Sequence, residues 1–294
     1  MSQPRTPLLG PEDFRVIEGL RLAPKRASAA GLRGERLTRR RGLSIEFDDY
    51  REYAEGDDLR HLDWSVLARM GRPTVKTYRD EEDLPVHLLI DGSASMQFGE
   101  PSKFSFAQRF AAAAGYMGLT GHDAVRAVLL GKRDRPPRPL RGRASYGKLS
   151  RQIEAMEAGA KSPVGRNLSD YAAANRSPGL TVFVSDGLDP ALPSAFRHLM
   201  GRGRELWMVQ ILSRIELDPD LEGDLRLVDS ETGNHREITA NSATLRRYRD
   251  SLCHHIETLR EAVKRSGGTH VLVATDTPFP QALAEVFRQS GLAA

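Results

Sequence analysis

Two rhythms of apolar and polar positions alternate along most of this chain. Short, nearly all-apolar runs at residues 86–90, 124–130, 180–184, 205–212 and 270–274 have the pattern of strands buried on both faces. Between them lie stretches with helical spacing. Residues 103–119 are alanine-rich, and residues 146–157 set Leu149, Ile153 and Met156 on one face. Further helices are predicted over 191–200, 242–266 and 279–289. Strand and helix in regular succession predict an α/β fold: a doubly wound, mostly parallel sheet with helices on both faces.

Two segments leave that rhythm. Residues 224–238, DLRLVDSETGNHREI, are two short runs around a Gly-Asn turn signal and predict a β-hairpin inserted at about 222–240. Residues 1–84 begin with a helical stretch at 12–22 and continue in mixed pattern. They read as an N-terminal extension to a main domain at 85–294, and no repeat period is visible.

Composition narrows the class without naming a function. A length of 294 residues with 39% hydrophobic and 28% charged residues describes a soluble globular chain. The single cysteine, Cys253, excludes an internal disulfide framework and fits a reducing compartment. The N-terminus lacks a charged-then-apolar leader, and no window reaches about 18 apolar residues, so a cytoplasmic protein with no membrane insertion is expected. The net charge of +4 is spread along the chain. Its dense basic clusters, Arg39 to Arg41 and residues 132–143, have no interleaved aromatics on which bases could stack, so no specific nucleic acid is expected as partner.

Chemistry concentrates where two buried runs end. The stretch LLIDGSASM places Asp91, Ser93 and Ser95 at the end of one strand. If the backbone stays extended there, the period of two puts all three on one side. The run LTVFVSDG ends in a second acid, Asp186, at the mouth of what should be an adjacent strand. In open α/β sheets ligands bind beyond the carboxyl ends of the strands, where strand order reverses. Acids and hydroxyls alone make a hard oxygen set suited to Mg2+ or Mn2+. The plainer reading is a serine-rich cap for the following helix.

An enzyme is the alternative: a metal-dependent phosphoesterase or other hydrolase using Asp91. Several requirements are missing. A phosphoryl-accepting aspartate needs a second acid two residues on, where Ser93 stands. GSASM lacks the second glycine of a nucleophile elbow. No GxxxxGK[ST] loop exists, so nucleotide hydrolysis is not expected and no catalytic residue is assigned. The histidines share no metal spacing; His254 and His255, adjacent on a helix, should lie one packed and one exposed.

DGSASM after a strand, with SDG at a later strand end, resembles the metal-ion-dependent adhesion site of von Willebrand factor A-like domains. The upstream run YREYAEGDDLRHLDWSVLAR and the hairpin's LVDSETG resemble, more narrowly, the bacterial family called domain of unknown function 58, over residues 32–287. The resemblance implies a protein-interaction adaptor partnered with a MoxR-type AAA+ ATPase and a client protein, in chaperone-like assembly, maturation or stress response. It implies Asp91, Ser93, Ser95 and Asp186 as metal-site residues. Relatives in that family are often tethered by N-terminal helices, and this chain would be a soluble version.

One position departs from the pattern. Such sites also use a threonine, and SPVGRNLSD has Arg166 in its place with Asn167 beside it. Guanidinium offers donors only and cannot ligate a cation. Pointing inward, Arg166 would occupy the metal's place and pair with Asp91 and Asp186, giving a weakened or metal-independent site. For Asp57, Asp58, Arg60, Asp63 and Trp64 two readings stand: a partner-binding motif, or a helix starting at Gly56-Asp57 with Leu59, Leu62 and Val66 as its buried stripe and the acids as caps.

Overall fold

The computed structural model describes residues 7–18, 20, 22, 46–54, 62–79, 84–131, 135–160, 163–175, 177–199 and 204–290. In chain order its elements begin with α1 (Pro11–Ile17), β1 (Glu46–Glu52), α2 (Trp64–Met70), β2 (Thr74–Arg79), β3 (Pro85–Asp91), α3 (Lys103–Thr120) and β4 (Ala124–Leu130). There follow α4 (Tyr146–Glu154), α5 (Val164–Ala174), β5 (Gly179–Ser185), α6 (Leu192–Leu199), β6 (Arg204–Leu212) and the short α7 (Arg214–Leu217). The hairpin strands β7 (Gly223–Val228) and β8 (His235–Ala240), then α8 (Ser242–Arg265), β9 (Thr269–Ala274) and α9 (Phe279–Ser290), complete the set. The chain divides into two compact units, Met1–Ala27 with Leu84–Ala294, and Ser28–Asp83.

The larger unit is built on a five-stranded sheet in the order β4-β3-β5-β6-β9. All four neighbour pairs are parallel. The α/β, doubly wound class read from the sequence is therefore the observed one, with this sheet wholly parallel among the described residues. Chain order reverses between β3 and β5, because β4 returns to one side of β3 and β5 to the other. That is the switch point at which an open sheet leaves a crevice.

Side-chain alternation sorts the core into two layers. Val86, Leu88 and Ile90 of β3, Val182 and Val184 of β5, and Trp207, Val209 and Ile211 of β6 pack with α1, α3, α4 and α9. Leu89, Phe183, Leu206 and Met208 face the other way, onto α5, α6 and α8. By the same parity Asp91 and Ser185 end their strands on the second face.

The structure refines the sequence expectations at several points. Helix α1 is shorter than the stretch 12–22 and belongs with the large unit, not with a separate extension over 1–84. Buried Asp13 pairs with Arg109 of α3 at 2.9 Å, and Phe14 meets Tyr116 and Tyr146 edge to face. Helix α5 was not expected, although Val164, Leu168, Tyr171 and Ala172 recur at helical spacing and are buried. The hairpin appears where expected, its turn closed by Asp229, whose carboxylate accepts from the backbone N–H groups of Glu231 and Thr232.

In the smaller unit β1 and β2 pair antiparallel. Asp63 caps α2, its carboxylate accepting from the Ser65 and Val66 N–H groups at 2.9 and 3.2 Å. Among the described residues of both units, no helix is long and apolar enough to cross a membrane.

Candidate functional site at the switch-point crevice

Strand β3 delivers Asp91 to the crevice almost wholly buried, at 1% exposure. Gly92 follows because the chain passes close to β4: a Cβ there would stand 2.5 Å from the Leu130 carbonyl oxygen. The backbone then turns. The Ser93 N–H donates to Asp91 Oδ1 at 2.8 Å, and Ala94–Gln97 form a 3-10 turn. Extended backbone through Ser95, on which the period-of-two argument depended, is therefore absent. Convergence comes from the turns instead, which bring Ser93 Oγ and Ser95 Oγ to 3.1 Å.

Strand β5 supplies the facing half. Ser185 Oγ donates to Asp91 Oδ2 at 2.6 Å, and Ser95 Oγ donates to Asp186 Oδ2 at 2.6 Å. The four residues singled out at the strand ends thus meet in one network. Helix capping does not account for them: α3 is capped by Ser102, and the Ser93 side chain makes no cap bond. Burial, then the nearby charge of Asp186, pushes the Asp91 carboxyl up to about 6, with the hydrogen bonds from Ser185 and Ser93 pulling the other way.

A residue not anticipated from the sequence lies at the centre. Lys103, the first residue of α3, is fully buried at 0% exposure. Its Nζ lies 2.9 Å from Asp186 Oδ2 and 2.5 Å from Glu216 Oε1. Glu216 is fixed in turn by a capping box on α7, its Oε2 accepting from the N–H and Oγ of Ser213 at 2.7 and 2.8 Å. The buried cation that meets Asp186 is therefore Lys103 and not Arg166. Arg166 is exposed in the first turn of α5, because Val164, Gly165 and Leu168 take the inward face of that turn. Asn167 sits beside it, half-buried.

Further contacts support the Asp186 turn from below. Gly187 carries φ +76°, a conformation glycine adopts without strain. Gln210 Nε2 donates to the Asp186 carbonyl at 2.9 Å, and His270 Nε2 lies 3.0 Å from Gln210 Oε1. His255 reaches the Gly187 carbonyl at 2.9 Å while His254 is exposed, the division expected for that pair.

The mouth has a different character. Three exposed apolar residues, Phe98, Leu188 and Ile215, lie next to it with 48%, 44% and 44% exposure. Each adjoins the polar network: the Phe98 ring lies 5.9 Å from Lys103 Nζ, the Leu188 N–H donates to Asp186 Oδ1, and Ile215 precedes Glu216. The hairpin tip lies within electrostatic reach, since partial burial and then the charges of Asp186, Asp229 and Asp189 hold the exposed Glu231 above the usual carboxylate range.

The donor set can be compared with a divalent ion's needs. A 3.1 Å separation of Ser93 Oγ and Ser95 Oγ would suit one edge of an octahedron with bonds of about 2.1 Å. The remaining donors do not fit. The Asp186 oxygen that Ser95 meets is already held by a lysine ammonium, a cation with no lone pair to offer and a charge that repels an incoming ion. Among the described residues no group of three or more His, Cys, Asp or Glu side chains is placed to hold a metal ion.

The upstream motif is seen only in part. Asp57, Asp58 and Arg60 lie outside the described residues. Asp63 is the α2 cap, and Trp64, at 65% exposure, stands on the surface of the smaller unit.

Lys103, Glu216, Ser185 and Gln210 were not among the residues predicted for this site. One signal existed: a lysine at the first position of a helix sits against the positive end of the helix dipole, which disfavours it unless acids compensate.

Comparison with known proteins gives relatives over most of the chain. Uncharacterized proteins from Mycobacterium bovis (Mb1516) and Mycobacterium tuberculosis (Rv1480) are each 26% identical over 285 residues, covering 95% of this chain and 89% of theirs. Among solved structures, an aerotolerance-related membrane protein from Bacteroides fragilis aligns at 15% identity and a TM-score of 0.45, covering 71% of this chain and 98% of its own. BatB from Bacteroides thetaiotaomicron aligns at 14% identity and a TM-score of 0.43, with the same coverage of each chain. The decisive match covers residues 49–272, both halves of the crevice included, and by it the chain belongs to the family described as protein of unknown function DUF58.

Proposed function

We propose that this protein is a non-enzymatic protein-protein interaction adaptor whose recognition site is the crevice at the carboxyl ends of β3 and β5. The observation that carries this reading is the combination of a buried, hydrogen-bonded polar centre with the exposed apolar rim of Phe98, Leu188 and Ile215. Apolar anchors around a fixed polar centre are the make-up of a protein-recognition patch. The fixed centre also argues against turnover. Asp91 accepts a hydrogen bond at each oxygen, from the Ser93 N–H and the Ser185 hydroxyl, so its carboxylate is held in place rather than free to swing toward a substrate.

The partner proposed is a MoxR-type AAA+ ATPase in the cytoplasm, with a client protein handed between them for assembly, maturation or stress response. The family resemblance supplies that partner, and the rim supplies its contact. The test is binding of a purified MoxR-type ATPase to the intact chain and to a Phe98→Ser, Leu188→Ser, Ile215→Ser variant. A loss of tenfold or more in affinity, about 1.4 kcal/mol or greater, with unchanged thermal unfolding is expected. Equal binding by both proteins would refute the crevice as the contact. Hydrolysis of a generic phosphoester that disappears in Asp91→Ala would instead establish the hydrolase alternative.

A further inference from the structure

We infer that Lys103 is the crevice's resident cation, a tethered ammonium in the charge position of a divalent metal, and that the site works without Mg2+ or Mn2+. The inference rests on reading the crevice as the recognition site and assigns its electrostatics.

A wholly buried ammonium persists only where acids and hydrogen bonds replace its water. Lys103 has both, from Asp186 on the β5 turn and Glu216 on α7. Neither contact is incidental: Asp186 is held by Ser95 and by Gln210 through its carbonyl, and Glu216 by its capping box with Ser213. The lysine also sits where its own helix disfavours positive charge, so the acids hold it there against the dipole. A divalent ion entering between Ser93 and Ser95 would have to part Ser95 from Asp186 and would meet an ammonium that cannot diffuse away. With Lys103 in place, Asp186 and Glu216 already have their compensating cation, which is covalently part of the chain. Partner binding through the crevice should then resist EDTA.

The experiment uses the full chain. Mn2+ uptake is followed by loss of the free-ion electron paramagnetic resonance signal, and thermal unfolding is recorded with EDTA, Mg2+ or Mn2+. The wild type is expected to take up no Mn2+ at millimolar concentration and to show no metal-dependent shift. Lys103→Met and Lys103→Gln are expected to bind the ion. Their melting temperature should rise by roughly 5 °C when metal exceeds its Kd by 100-fold, and the rise should vanish when Asp91→Asn is added.

Stoichiometric uptake by the wild type, abolished by Asp91→Asn, would overturn the inference. So would a failure of the folded Lys103 variants to bind, since Lys103 would then not be what stands in the metal's place. Should neither variant fold, the wild-type titration decides alone: uptake refutes the inference, and its absence together with EDTA-resistant partner binding upholds it. Rim variants that leave partner binding intact would refute the crevice as the recognition site while the metal titration still reports on Lys103.

Discussion

Lys103 shows how far a single side chain's role depends on what surrounds it. Removing its ammonium leaves Asp186 and Glu216 facing one another without their cation, so Lys103→Ala should cost about 3 to 5 kcal/mol in urea unfolding. Ser185→Ala removes the donor to Asp91 Oδ2 and the acceptor of the Gly187 N–H, and should cost about 1 to 3 kcal/mol. Ser230→Ala, on the exposed hairpin turn, should stay within about 0.5 kcal/mol by the same measurement.

Titration at the residue scale has a definite sign. Burial first, then nearby arginines, lowers His87 and His270 to about 4. Both are below the unfolded value of about 6.5, so the native state binds fewer protons, and stability present above that pH is lost as pH falls toward 4. Asp91 acts in the opposite sense: its folded value of about 6 exceeds the unfolded one, so its contribution is greatest at low pH and is lost as pH rises through 6. Asp91→Asn should therefore steepen the decline in stability between pH 7 and 4.5, read by chemical unfolding at each pH. A parallel or shallower profile would contradict the assignment.

At the scale of elements, the two glycines flanking the acids set the turns that make the site. Gly92 passes against the Leu130 carbonyl, and Gly187 combines φ +76° with a position where a Cβ would stand 2.6 Å from Leu259 of α8. Gly187→Ala should cost about 1 to 3 kcal/mol, and its damage should centre on the Asp186 turn, visible as faster amide exchange at Gly187 and Leu188. The sequence motifs DGS and SDG already contained both glycines. Their spacing did not show that the serines converge through an Asx-type turn and a 3-10 turn, because a period-of-two argument assumes extended backbone. Helix α5 was legible in its apolar spacing, but the stretch was read for a missing threonine instead, and with the helix in place Arg166 turns outward.

For the whole molecule, the sheet order determines which strand ends meet. Placing β3 beside β5 brings together Asp91 and Asp186, 95 residues apart in a chain whose numbering alone does not require their contact. The β7–β8 hairpin stands outside that core, with most of its residues exposed. Replacing residues 224–239 by a short Gly-Ser linker should leave the melting temperature within about 2 °C, since little apolar surface is uncovered. Under the adaptor reading proposed above, with Glu231 at the hairpin tip feeling the charge of Asp186 in the crevice, the same variant should bind the proposed ATPase partner more weakly.

Sequence by itself determined the five strands of the parallel sheet, their alternation with helices, the inserted hairpin and the two acid-bearing strand ends. Strands buried on both faces must be apolar runs, and polar residues closing such runs stand out against them. Tertiary structure alone decided what fills the crevice. Lys103 finds its acids 83 and 113 residues away, and a lysine's long flexible stem lets the same residue reach solvent or a buried carboxylate. Which of the two it does is settled by packing around its ammonium, and here that packing seals it between Asp186 and Glu216.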